Sequence, residues 1–83
     1  MATKRSTYLF SNENDFNEAK DHIYRLMYND YWDSCKIDFY GWWGSCSEFD
    51  WPECYRIDIY DGCSDPEKAA SIFREHRGRY YDC

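Results

Sequence analysis

The chain has 83 residues, 43% of them hydrophobic and 31% charged, with a formal net charge of −6. That length makes one domain, residues 1–83, with a small core. The acidity speaks against direct DNA or RNA binding, which depends on Lys and Arg to neutralise phosphates.

Residues 1–6 read as a disordered, slightly basic start, and Ser6–Ser11 as a short β-type run. Asn12 offers a helix N-cap, with Asp15 three residues on and acids in the first turn to suit the helix dipole. Phe16, Ala19, Ile23 and Leu26/Met27 recur at helical spacing and predict a helix from about Glu13 to Tyr28. Asn29 and Asp30 favour a turn and end it. From Cys35 the period becomes two. Cys35, Ile37 and Phe39 alternate with Lys36, Asp38 and Tyr40; later, Tyr55, Ile57 and Ile59 alternate with Arg56, Asp58 and Tyr60. These two runs are expected to pair as an antiparallel hairpin. Their connection, Gly41–Glu53, is thirteen residues long or hides a short strand near Trp42–Trp43 or Glu48–Phe49. Hairpin loops are usually about two to five residues, so a connection of that length points to function. Asp61–Gly62 ends the second strand. Ser64–Glu67 then reads as a capping box with Pro66 in the first turn. Ala69, Ala70, Ile72 and Phe73 form the apolar side of a helix to about Arg77, and Gly78 stands where a C-cap glycine belongs. Arg79–Cys83 has no assigned element.

The order β-α-β-β-α defines an α+β domain with two helices on one face of a small antiparallel sheet. Ile37, Phe39, Ile57 and Ile59 are expected to face the helices. Asp38, Tyr40, Asp58 and Tyr60 are expected on the opposite, open face, joined by Trp42 if the alternation continues. The chain has no Val and few other aliphatics, so some of its eighteen aromatic rings must build the core. So many rings exceed what a core this small can hold.

Asn29–Cys63 carries the whole net charge. Asp30, Asp33, Asp38, Glu48, Asp50, Glu53, Asp58 and Asp61 oppose only Lys36 and Arg56, a balance of −6. All four Trp (Trp32, Trp42, Trp43, Trp51) lie in the same segment. Carboxylates beside Tyr and Trp suit a grip on a basic protein, because the rings supply rigid contact area and cation–π faces for Lys and Arg. The expected partner-binding residues are Asp38, Tyr40, Trp42, Trp43, Glu48, Asp50, Trp51, Asp58, Tyr60 and Asp61.

Catalytic constellations are missing: the sequence has no Gly-rich phosphate loop, HExxH, GxSxG or Cys-x-x-Cys. His22 and His76 read as surface or boundary residues of helices, and no spacing pairs either with a cysteine as a catalytic base. The five cysteines, Cys35, Cys46, Cys54, Cys63 and Cys83, are odd in number and loosely spaced, so free thiols are expected in preference to disulfides or zinc. No enzyme activity, metal or cofactor is expected. No apolar run reaches the roughly 18 residues of a membrane span. Met1–Thr7 lacks the apolar stretch of a signal peptide. A cytoplasmic location with reduced thiols, and no membrane partner, is therefore expected.

In size, acidity and lack of catalytic motifs, and in the clusters Asp38–Trp43 and Asp58–Asp61, the chain resembles the small acidic inhibitors that phages direct at host defence, above all DNA-mimicking anti-CRISPR proteins. The resemblance implies a stoichiometric inhibitor of a nucleic-acid-binding effector, acting in the cytoplasm of an infected host. A carboxylate-bearing surface would there occupy the basic channel that otherwise holds DNA or RNA. The principal alternative is a general interaction module or antitoxin whose basic partner does not handle nucleic acid. A Trp-lined carbohydrate binder would differ from both in showing little dependence on salt.

Overall fold

A computed structural model describes residues 4–30, 36–63 and 65–81. Among these residues four strands and two α-helices follow one another: β1 (Lys4–Phe10), α1 (Glu13–Asp30), β2 (Ile37–Cys46), β3 (Trp51–Tyr60), α2 (Pro66–Glu75) and β4 (Arg79–Tyr81). The order is the expected β-α-β-β-α with one strand added, making an α+β fold. All pairings are antiparallel and the sheet order is β2-β3-β1-β4, so β3 and β1 are central and β2 is an edge.

Local chemistry sets the helix ends. Asn12 Oδ1 accepts the Asp15 backbone N–H at 2.8 Å, and Asn12 Nδ2 donates to Asp15 Oδ2 at 3.0 Å. Asp15 is buried and also accepts from Arg77 Nη1 at 3.0 Å, which ties the start of α1 to the turn after α2. For α2 the capping residue is Asp65, whose Oδ1 accepts the Lys68 N–H at 3.0 Å, with Pro66 in the first turn. The expected Ser64–Glu67 box is therefore shifted by one residue, and Ser64 itself lies outside the described residues. At the other end, Gly78 N–H donates to Phe73 O at 2.7 Å while Arg77 takes the left-handed conformation at φ +69°. Gly78 is needed for space instead of for its dihedral freedom. A Cβ there would meet Phe73 O at 2.7 Å and the Phe10 ring at 2.9 Å.

One sheet face carries both helices, and its core joins Tyr8, Phe10, Ile37, Tyr55, Ile57 and Ile59 to Phe16, Ala19, Ile23, Ala69, Ile72 and Phe73. Phe10 meets Phe16 and Phe73 edge-on, with centroids 6.2 and 6.0 Å apart. Such pairs add roughly 0.5–1.5 kcal/mol beyond area burial. Aromatic side chains thus do supply much of the core.

The helix-free face is not open. Leu9, Cys46 and Cys54 are buried there, with Trp43, Phe49, Trp51 and Tyr81 packed around them. The end of the β2–β3 hairpin folds back across the sheet. Phe49 contacts Trp51 at 4.9 Å and Tyr81 of the far edge strand at 6.4 Å, and Trp43 contacts Tyr81 at 5.5 Å. Thr7–Phe10 of β1 is consequently buried on both sides.

Candidate partner-binding face on the hairpin

The hairpin differs from its expected form in length and in register. Each strand has ten residues, and the connection shrinks to Ser47–Asp50, one 3₁₀ turn closed by Asp50 in the left-handed region at φ +57°. The long Gly41–Glu53 connection does not exist. Its Trp residues lie on strands, and length no longer argues for function.

Residues directly opposite on antiparallel strands share a face. Asp38 pairs with Asp58 and Phe39 with Ile57, as the alternation requires, but the register then shifts between Phe39 and Gly41 and again between Trp42 and Gly44. Gly41 and Gly44 have φ of +93° and +111°, conformations that glycine adopts without Cβ strain. The first bulge places Trp42 opposite Tyr55, on the helix side. Trp42 is therefore not on the side of Asp38 and Tyr40, correcting the expected alternation.

Asp58 is a second correction. It is 2% exposed and accepts hydrogen bonds from Thr7 Oγ1 at 2.7 Å and Arg56 Nε at 2.9 Å. It is an internal counter-ion, out of a partner's reach. The Arg56 guanidinium also lies 5.1 Å from the Tyr40 ring and 5.1 Å from the Trp43 ring. Two of the rings expected to face a partner's cation thus already hold one of the chain's own.

The other expected residues divide cleanly. Asp38, Glu48, Asp50, Asp61 and Tyr40 are exposed, as is Trp42 at 65%. Trp43 and Trp51 are half-buried in the second cluster, and Tyr60 is half-buried. Glu53 is a further exposed carboxylate on β3. The five exposed acids group at the hairpin's two ends: Asp38 and Asp61 at the open end, and Glu48, Asp50 and Glu53 at the tip. Most of the length of the two strands separates these ends. Sequence reading missed Tyr24 and Tyr28, which lie on α1 at 48% and 87% exposure. The Tyr24 ring lies 5.1 Å from Phe39 of β2, so the exposed aromatic rim on the helix side runs from α1 to the edge strand. Their signal was their i, i+4 spacing outside the Phe16–Ala19–Ile23 stripe.

Cys46 and Cys54 are buried thiols. Burial pushes the Cys54 thiol up from its ordinary value and neighbouring Cys46 adds to the rise, which keeps it protonated and weakly nucleophilic. Cys35, Cys83, Trp32 and Asp33 lie outside the described residues, and of Asp30 only the backbone is described. Among the described residues no pocket opens, no cluster of three His, Cys, Asp or Glu side chains is placed to hold a metal, and no helix is long and apolar enough to cross a membrane. No family model, curated protein or solved structure matches this chain.

Proposed function

We propose that this protein is a stoichiometric inhibitor that binds a basic, nucleic-acid-binding surface of a host defence effector and occupies the place of DNA or RNA. The observation that carries this reading is the charge of the β2–β3 hairpin. Asp38, Glu48, Asp50, Glu53 and Asp61 are exposed along it, whereas its two bases are Lys36 and an Arg56 already bound to Asp58. Carboxylates at both ends of this ridge give a basic channel several contacts, as a run of phosphates would. Between them Trp42 projects from the edge strand on the helix side and Tyr40 on the other, and each supplies apolar contact area to its own face.

The test is affinity capture from a host lysate, with DNA or RNA added as competitor and with a charge-reversed variant (Glu48→Lys, Asp50→Lys) beside the wild type. The expected capture is a nucleic-acid-binding protein, released by competitor and lost with the variant. A ternary complex, in which the captured protein is inhibited while holding its nucleic acid normally, would overturn mimicry. The exposed Tyr24, Tyr28 and Trp42 also favour a second reading, an interaction module or antitoxin that uses the helix-side rim. It predicts capture that nucleic acid does not compete and that Trp42→Ala abolishes.

A further inference from the structure

The two histidines are 54 residues apart in sequence and in contact in space. His22 Nδ1 of α1 lies 3.3 Å from Nε2 of His76, which ends α2, with the rings perpendicular and half-buried between the helices. A hydrogen bond between two imidazoles needs a proton on one facing nitrogen and a lone pair on the other. Two neutral rings meet that requirement, and so does one neutral ring facing one charged ring. Two protonated rings do not: both nitrogens then present N–H groups, and two positive charges face each other.

We propose that the His22–His76 contact is a proton-operated latch between α1 and α2, closed while one ring is neutral and opened when both are charged. Glu18 of α1 places a carboxylate 3.7 Å from His76 Nδ1, within ion-pair reach of that ring when it is charged. His22 is differently placed. Burial, the charge of His76, and then Arg25 of α1 hold it below the ordinary histidine value; Glu75 of α2 opposes this and Lys68 of α2 adds to it. Unfolded His22 therefore takes up a proton near pH 6.5, and folded His22 only at lower pH. The stability that the closed latch supplies is complete above about pH 6.5 and is lost as the pH falls through the lower folded value. The Glu18–His76 ion pair offsets little of that loss, because the Glu18 side chain is 56% exposed. Opening would remove one tie between α1 and α2, while the Asp15–Arg77 pair and the buried stripe of α1 remain.

Urea unfolding of the wild type and of His22→Gln at about pH 7.5 and 5.5 reads the latch directly while leaving most carboxylates ionised. Between these values the wild-type unfolding constant is expected to rise about threefold or more beyond that of the variant. Equal pH dependence overturns the latch. Should His22→Gln fail to fold, an NMR titration of the His22 ring decides the matter. The expected midpoint lies below the ordinary histidine value and moves up toward it in His76→Gln. A midpoint at or above that value, or one that His76→Gln leaves unmoved, overturns the proposal.

Discussion

Asp58 sits where its neighbours' alternation places a solvent-facing residue, on a face that the hairpin end has covered. Its carboxylate is acceptable there because Thr7 and Arg56 both donate to it, and Arg56 is in turn flanked by Tyr40 and Trp43. Removing one partner of a buried pair leaves the other charge stranded, at a cost of roughly 3–5 kcal/mol. Asp58→Ala is expected near the low end, about 3 kcal/mol, because Arg56 keeps its aromatic neighbours. Asp38→Ala, on the exposed side of the same cross-strand pair, should move stability by less than about 0.5 kcal/mol. Urea midpoints of the two variants test the contrast, and similar losses would refute the assignment. Charge reversal at Asp58 would consequently report on folding, whereas reversal at Asp38, Glu48 or Asp50 reports on binding. The three hairpin Trp residues separate in the same manner. Trp42 should be quenched by iodide or acrylamide in the free protein and Trp43 and Trp51 much less, so single-Trp variants should give distinct quenching slopes. If Trp42 anchors a partner, Trp42→Ala costs about 2 kcal/mol or more of binding energy while barely changing stability.

Among the elements, the helices and the paired strands were readable because their apolar positions repeat at clear periods and Asn12, Pro66 and Gly78 punctuate them. Three features were not. β4 is three residues long and has no pattern to show. The extension of β2 through Trp42–Cys46 was legible only as the alternative of a short strand near Trp42–Trp43, because its bulges interrupt the period of two on which strand reading rests. The covering of the second face was hidden because Arg56 and Asp58, which satisfy each other, look in sequence like residues meant for water. The residues expected to face a partner fared accordingly: the exposed acids were legible from charge alone, whereas the placement of Trp42, Trp43 and Asp58 depended on bulges and tertiary contacts. Gly44 gives a direct test of the bulge. Open space surrounds it, so Gly44→Ala meets no clash, but its φ of +111° is strained for any residue with a Cβ. A loss of about 1 kcal/mol or more is expected, together with greater quenching of Trp43 as the tip lifts from Tyr81. Wild-type stability in this variant would show that the bulge is not fixed by glycine.

At the level of the whole molecule, the sheet separates two packed layers of unequal make-up: helices and their aromatic core on one side, the chain's own hairpin end on the other. The exposed carboxylates of the hairpin lie at its two ends, on the solvent side of the layer that its tip forms. Attraction between this ridge and a basic surface is screened over about 10 Å at 0.1 M salt. Raising ionic strength from about 0.05 to 0.5 M is expected to weaken binding by about tenfold or more, mainly through slower association. Stopped-flow and equilibrium titrations against the captured partner measure both quantities. Affinity indifferent to salt would assign the energy to the aromatic rim instead. The position of β2 at the sheet's edge has a consequence for how such binding can be watched. Amide hydrogens of β1 and β3 are enclosed by strands on both sides and should exchange with solvent only when the molecule opens widely. Those of β2 that point away from β3 lack a strand neighbour and should exchange within the dead time of most experiments. A partner seated along that margin would slow only these fast amides, so a loss of deuterium uptake confined to Ile37–Cys46 would map the footprint residue by residue, even while the partner is known only as a band on a gel.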